Sequence, residues 1–204
     1  MPRSLKLSGF IVVILISFVS FSQDSDHVTD VKNFQDKLND QYKDPENSPL
    51  MKKDIKKFNG HDFFPIDENF KVIADLEFFE ESIVYGLPTS TSRIAKYRKY
   101  AIAKFQIDGE SYQLTLYVSE TPSDDPEYAD HVFLPFTDET NGESTYGGGR
   151  YIDLKTTQDD TIIIDFNKSY NPYCAYSPYY SCPKPPKENH LSFKVEAGIK
   201  MSSL

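Results

Sequence analysis

Tryptophan is absent from this 204-residue sequence, and cysteine and histidine are scarce, with two and four copies. Because flat aromatic side chains carry much of the contact area in sugar-binding platforms, the missing tryptophan weakens a carbohydrate-platform interpretation. Positive charge is also in deficit, since 22 lysines and arginines face 31 aspartates and glutamates, which gives a formal net charge of −9. An acidic surface repels phosphate backbones, so the sequence predicts no nucleic-acid partner.

The common catalytic signatures are missing as well. The chain contains no G-x-S-x-G elbow and no H-E-x-x-H zinc motif. Gly147, Gly148 and Gly149 precede a predicted strand instead of a helix, so they do not predict a phosphate cradle. We therefore expect no cofactor and no metal, and the sequence names no reaction.

Two weaker metal-binding patterns stay open. Cys174, Cys182 and His190 are evenly spaced by eight residues, although structural zinc sites use tighter spacings. The run at 138–143 is crowded with oxygen ligands suited to calcium, but their order fits no EF-hand.

The N-terminus predicts the compartment. Arg3 and Lys6 precede an apolar run at 7–21, and small serines flank Phe21 just before Gln23. This is the layout of a secretory signal peptide, and the run is shorter than the ~20 residues of a spanning helix. We expect 1–22 to be a cleaved signal and 23–204 to be one exported β-rich domain, periplasmic or secreted. An uncleaved anchor is the alternative.

Cleavage would remove two positive charges and no negative one, which shifts the formal net charge from −9 to −11. No later segment is apolar enough to predict a membrane span, so we expect no stable span after cleavage. The sequence leaves the oligomeric state undetermined.

Hydrophobic periodicity predicts a mainly β (α+β) fold. A three- and four-residue spacing from Val28 to Tyr42 predicts a first helix, capped by acidic residues at 24–26, and Asp44-Pro45 ends it. A second short helix is expected between Pro49 and Phe58. About eight strands follow, which predicts an antiparallel sandwich or partly open barrel with two N-terminal helices. The predicted strands are 70–78, 83–87, 100–107, 112–118, 132–136, 150–155, 161–166 and 191–197.

Two hairpins are predicted. Asp108-Gly109 supplies the positive φ of a tight turn between two strands. The strands at 150–155 and 161–166 are expected to pair with each other. Strand parity would then place Tyr151, Asp153, Asp165 and Asn167 on one polar face, with the two aspartates directly opposed.

The C-terminal third is the candidate site. Cys174 and Cys182 are expected to form a disulfide that closes a nine-residue loop and stabilises by ~2–3 kcal/mol. This Tyr/Pro-rich loop is expected to roof the polar strand face, with Arg150 clamping an anionic group. The candidate binding residues are Tyr146, Arg150, Tyr151, Asp153, Asp165, Asn167, Asn171, Tyr173, Glu188 and Asn189.

Several long stretches, among them FNGHDFFPID, LPFTDETNGESTYGGGRYIDL and DFNKSYNPYCAYSPYYSCPKPPKEN, resemble a bacterial family catalogued as domain of unknown function 1684. The resemblance spans roughly Gln35 to Lys200. It implies an exported bacterial protein and a single domain. The family brings no established activity, so no functional residue is carried over.

Two functions remain open from the sequence. The first is a binding module for a small molecule or peptide that uses the Tyr/Pro-rich site. The second is a hydrolase in which Asp153, Asp165 or Glu188 acts as a base and Arg150 orients an anionic substrate group. Convergence of the three carboxylates in one pocket would favour the enzyme.

Overall fold

The computed structural model describes residues 20–81, 83–121 and 123–202. The predicted signal peptide lies outside the described residues except for its last three positions. Helix α1 spans Ser20–Lys43, so the predicted caps at 24–26 lie within the helix. It ends as expected at Asp44, whose carboxylate accepts hydrogen bonds from the Glu46 amide and the Asn47 side chain. Among the described residues, no helix is long and apolar enough to cross a membrane.

Helix α2 is much shorter than the sequence predicts, because it covers only Lys52–Ile55. The residues that follow it turn Phe58 inward to pack beside Tyr42 and Leu50. This small cluster joins the C-terminal half of α1 to the rest of the molecule. The two predicted helices therefore exist, but only α1 is a substantial element.

Within the described residues, eight strands form one curled half-barrel sheet. The strands are β1 (Lys71–Phe78), β2 (Val84–Pro88), β3 (Ile94–Ile107), β4 (Glu110–Ser119), β5 (His131–Asp138), β6 (Arg150–Lys155), β7 (Thr161–Asp165) and β8 (His190–Leu191). Their order is β6-β5-β4-β3-β1-β7, with β2 beside β3 and β8 beside β5. Only the two-residue β5–β8 pairing is parallel. The predicted mainly β, partly open barrel is confirmed.

The Asp108-Gly109 hairpin is confirmed. Both residues have positive φ, at 52° and 81°, and they connect the paired ends of β3 and β4. Two successive positive φ angles match the twist of the strands they connect, which is why an Asp-Gly pair is favoured here.

The predicted hairpin between β6 and β7 is wrong. Strand β7 pairs with β1, where Lys71 lies opposite Asp165, while β6 pairs with β5, where Phe133 lies opposite Asp153. The two strands are at opposite ends of the sheet order, and the sheet curls so that a short connection joins them. Alternation in a strand fixes which side chains share a face but does not fix the partner strand.

Both faces of the sheet bury apolar side chains. The inner-face core contains Leu114, Leu116, Leu134, Ile152 and Phe166 among others. The outer face carries a second group, the outer-face cluster, which consists of Leu87, Tyr117, Phe133 and Tyr151. The parity prediction for β6 holds in this respect, because Ile152 faces inward and Tyr151 faces outward.

The last predicted strand is reduced to two residues. Beyond Leu191 the chain continues without a ladder partner, and its carbonyls at Val195, Ala197 and Ile199 accept hydrogen bonds from the Arg150 guanidinium. A side chain thus takes over the pairing that a neighbouring strand would supply. Periodicity in the sequence cannot distinguish these two ways of satisfying a backbone.

Candidate functional site

The segment at 169–186, which we call the cap loop, covers the outer-face cluster. Backbone bonds of 2.9 Å join Tyr151 and Tyr170 in both directions, which fixes one end of the loop to β6. The other end lies along the close of β2, where the Lys184 amide donates to the Pro88 carbonyl at 2.7 Å. The Tyr151 hydroxyl donates to the Pro183 carbonyl from beneath. The space under the loop is therefore filled by aromatic side chains, and a ligand would meet the site at its rim.

Asp153 is the carboxylate at that rim. The Tyr170 hydroxyl lies 2.9 Å from both of its oxygens, and His131 Nε2 lies 2.7 Å from Oδ1. The side chain of Asp153 is still 41% exposed, and that of His131 is 23% exposed. Burial and the nearby Asp153 charge raise the pKa of Tyr170 well above its ordinary value, so Tyr170 stays a hydrogen-bond donor. Asp153 is thus held in one orientation with accepting capacity left over.

Asp165 lies in a different part of the molecule. Its Oδ2 is 2.8 Å from Nε2 of the buried His27, and its Oδ1 accepts bonds from the backbone and side chain of Asn167. His27 also brings Nδ1 to 3.6 Å from Glu68. These contacts attach α1 to the end of β7. Asp165 is therefore a docking residue for the helix and does not share a pocket with Asp153.

The three candidate asparagines are buried clamps. Asn167 binds both the amide and the carbonyl of Asp67. Asn189 accepts from the Thr115 amide and donates to the carbonyls of Thr115 and Pro135, each at 2.8 Å. Asn189 therefore fills the gap where β4 and β5 diverge.

Asn171 is the third. It donates to the Tyr176 hydroxyl and the Lys200 carbonyl, both at 3.1 Å. All three side chains satisfy backbone or loop groups that strands leave unpaired, which is a structural role.

Arg150 departs most from its expected role. It is fully buried and pairs with buried Asp138 at 2.9 Å. Besides the three C-terminal carbonyls it reaches Ser169 Oγ at 3.3 Å. Its terminal nitrogens are occupied by the protein itself, so it does not serve as an anion clamp. Asp138 likewise spends its oxygens on Arg150, Thr140 and the Val195 amide, which removes it from the calcium pattern.

Glu188 lies on a third, separate patch. Its Oε1 is 3.3 Å from Lys99 Nζ and 3.4 Å from the Tyr117 hydroxyl. Tyr173 is near the helices, where its hydroxyl accepts from Gln41 at 2.8 Å. The three carboxylates that the hydrolase hypothesis needs therefore have separate partners and do not converge.

The two cysteines are free thiols that lie side by side. The Cys174 amide is 3.2 Å from Cys182 Sγ, and both residues are partly exposed. The Tyr146 hydroxyl forms a hydrogen bond with the Cys174 thiol. The sequence brings these residues to one place correctly, but the predicted disulfide is not formed in this structure. His190 instead contacts Thr137 and Glu139, and the described residues hold no cluster that suits a metal ion.

Sequence reasoning missed His61. Its ring lies among Tyr42, Phe58 and Tyr176, with the Tyr42 ring centre 4.3 Å away. Nδ1 is 2.8 Å from Asn39 Oδ1, while Nε2 is buried without a partner. Burial lowers the pKa of His61 to about 4. No local pattern in the sequence indicates this environment, because its rings come from α1, the following turn and the cap loop.

Two open grooves lie away from the cap loop. One, of about 960 Å³, crosses β1, β3 and β4 near Lys71 and Lys104. The other, of about 580 Å³, runs beside α1 and includes His27 and Glu68. Neither contains a predicted site residue.

The fold and site thus define a mainly β half-barrel with a Tyr/Pro-rich cap loop over its outer face. Residues 56–200 match the family described as protein of unknown function DUF1684, and the chain belongs to that family. It is also similar to a solution NMR structure of an uncharacterised protein from Haloarcula marismortui, at 32% identity and a TM-score of 0.68. That match covers 88% of this chain and 96% of the other. No curated protein matches.

Proposed function

We propose that the chain is an exported binding module whose site, at the rim of the outer-face cluster, takes a small molecule or peptide carrying a positively charged nitrogen. The observation that carries the proposal is Asp153, an exposed carboxylate whose orientation is fixed by Tyr170 and His131. A carboxylate with a fixed position and free lone pairs accepts charge-assisted hydrogen bonds, which are the stronger kind.

The aromatic surroundings support the same ligand class. Phe133 lies opposite Asp153 on β5, and its ring centre is 4.7 Å from that of Tyr151. Tyr128, which is 47% exposed, packs against the ring of His131. Aromatic faces next to a carboxylate attract organic cations, and the net charge of −9 raises the local concentration of such ligands.

The geometry gives less support to the hydrolase alternative. It required a carboxylate base and an arginine at one pocket, but Arg150 is buried against Asp138, and Asp165 and Glu188 have separate partners. A binding module needs only the preformed rim.

Export rests on the N-terminal pattern. In the uncleaved chain the first turn of α1 contains no acidic residue. Removal of 1–22 would start the helix near Asp24 and Asp26, whose negative charges stabilise a helix N-terminus. In an oxidising compartment Cys174 and Cys182 would be bridged. Expression in a bacterial host followed by N-terminal mass analysis tests cleavage before Gln23, and a retained N-terminus in the exported fraction would contradict it.

Ligand binding is tested by thermal-shift titration with arginine amide, choline and putrescine, with glutamate as the anionic control. A ligand that binds the native state alone raises the melting temperature with its concentration relative to Kd. We expect the cations to raise it in the wild type. Asp153→Asn is expected to weaken binding at least tenfold.

The matched control is Asp159→Asn, which removes an exposed carboxylate of the same chain outside the rim. It should bind cations as the wild type does. Tyr170→Phe keeps the ring and removes the hydroxyl that orients Asp153, so it should weaken binding less than Asp153→Asn does. Equal binding by wild type and Asp153→Asn, or a preference for glutamate, would reject the proposal.

A further inference from the structure

The two cysteines come from separate arms of the cap loop and meet beside the end of β2. Cys174 belongs to the 3₁₀ helix Tyr173–Ala175. Cys182 is fixed to Ser90, whose amide donates to the Cys182 carbonyl at 2.9 Å and whose hydroxyl accepts from the Cys182 amide at 3.1 Å. One thiol is thus anchored to the sheet, and the other lies on a short helix next to it.

The hydrogen-bond donors around the two sulfurs are unequal. The hydroxyls of Tyr146 and Ser90 and the Cys182 thiol all donate toward the Cys174 sulfur. The Cys182 sulfur is approached by the Cys174 amide at 3.2 Å. Hydrogen-bond donors stabilise a thiolate relative to a thiol, so the surplus around Cys174 favours the anion there.

Tyr146 is held in position for this contact. A Cβ on Gly148 would collide with the Tyr146 ring, so only glycine allows the chain to pass so close. The hydroxyl is thereby directed at Cys174.

We propose that Cys174 and Cys182 form a thiol–disulfide exchange site, in which Cys174 attacks a low-molecular-weight disulfide and Cys182 resolves the product. Both residues are partly exposed, so a small disulfide can reach the pair. The site is separate from the proposed cation site, and each can fail without the other.

The reaction balances as two exchanges. The Cys174 thiolate attacks one sulfur of the small disulfide, its S–S bond breaks, and the leaving thiolate takes up a proton. Cys182 then loses its proton and attacks the Cys174 sulfur, which forms the Cys174–Cys182 bond and releases the second small thiol. The protein loses two electrons and two protons, and one small disulfide becomes two small thiols.

The pKa directions agree with these roles. The donors around Cys174 lower the pKa of its thiol, and the adjacent Cys174 sulfur raises the pKa of Cys182. Arg93 acts in the opposite direction on Cys182, but its influence is smaller than that of Cys174. The other ionisable groups that face the pair are Tyr97, Tyr146, Tyr151 and Tyr173.

The test uses the reduced full chain and oxidised glutathione at pH 7, with acid quenching and mass spectrometry. In the wild type we expect a transient single glutathione adduct that converts to a protein two mass units lighter than the reduced chain. Cys182→Ser should accumulate a stable adduct on Cys174. Cys174→Ser should form its adduct at least tenfold more slowly, because Cys182 lacks the same donors.

Tyr146→Phe separates positioning from folding. Made in the Cys182→Ser background, it should shift the pH midpoint of adduct formation upward and slow the reaction at pH 6, while unfolding by urea stays nearly unchanged. Equal rates for Cys174→Ser and Cys182→Ser would overturn the assignment of roles. A wild-type chain that keeps its glutathione adduct without forming the internal bond would overturn the site itself.

Discussion

Acid should loosen the helical end of the molecule through His61. The ring is neutral in the folded state, because its pKa falls from the ordinary 6.5 to about 4 on burial. In the unfolded chain His61 takes up a proton as the pH drops below 6.5. The unfolded state then binds more protons than the native state, so this histidine lowers the free energy of unfolding as the pH falls from 6.5 toward 4.

The size of the effect follows from the shift. Each pKa unit corresponds to about 1.4 kcal/mol, so the full shift sets an upper limit of about 3 kcal/mol. At pH 5 only part of this has been lost, and the remaining solvent contact of His61 reduces it further. We therefore expect a loss of about 1 to 2 kcal/mol between pH 7 and pH 5.

The assay is urea unfolding of wild type and His61→Phe at pH 7 and pH 5. Phenylalanine fits a pocket lined by Tyr42, Phe58 and Tyr176 but cannot titrate, and it gives up the bond to Asn39 at both pH values. The variant should therefore lose less stability on acidification than the wild type. His190→Gln, which replaces an exposed histidine, is the matched control and should keep the wild-type slope. The same slope in His61→Phe and wild type would refute the reasoning.

Two further substitutions test the buried polar contacts. Arg150→Met leaves the Asp138 carboxylate buried without its cation and frees three C-terminal carbonyls, so unfolding by urea should show a loss of about 3–5 kcal/mol. The double change with Asp138→Asn should recover part of that loss, and no recovery would speak against a charge effect. Asn189→Leu leaves the Thr115 amide and two carbonyls unpaired, so we expect a loss of about 2–4 kcal/mol, and a loss below about 1 kcal/mol would contradict the clamp.

Local signals in the sequence predicted much of the sheet. The Asp108-Gly109 turn and the alternation in β1 depend on neighbouring residues, and both the turn and the strand are present. The inward and outward faces of β6 also follow from alternation alone. Pairing failed at β7 because the choice between β1 and β6 depends on the curl of the whole sheet.

The candidate site was harder to predict because its polar residues divide by environment. Asp153 and Asp165 are the same residue type on predicted strands, yet one lies at an exposed rim and the other under α1 beside His27. Arg150 carries the side chain of a typical anion clamp, but the unpaired carbonyls that occupy it lie about fifty residues later in the chain. Such long-range contacts leave no periodic signal.

The attachment of the cap loop to β6 has a further consequence, for self-association. Strand β6 ends the sheet order, and its outer edge would expose unpaired amides and carbonyls to a strand from another molecule. Tyr170 satisfies both backbone groups of Tyr151, so the loop blocks strand addition at that point. A molecule that lost this attachment would present an open edge, and polymerisation would compete with any remaining activity.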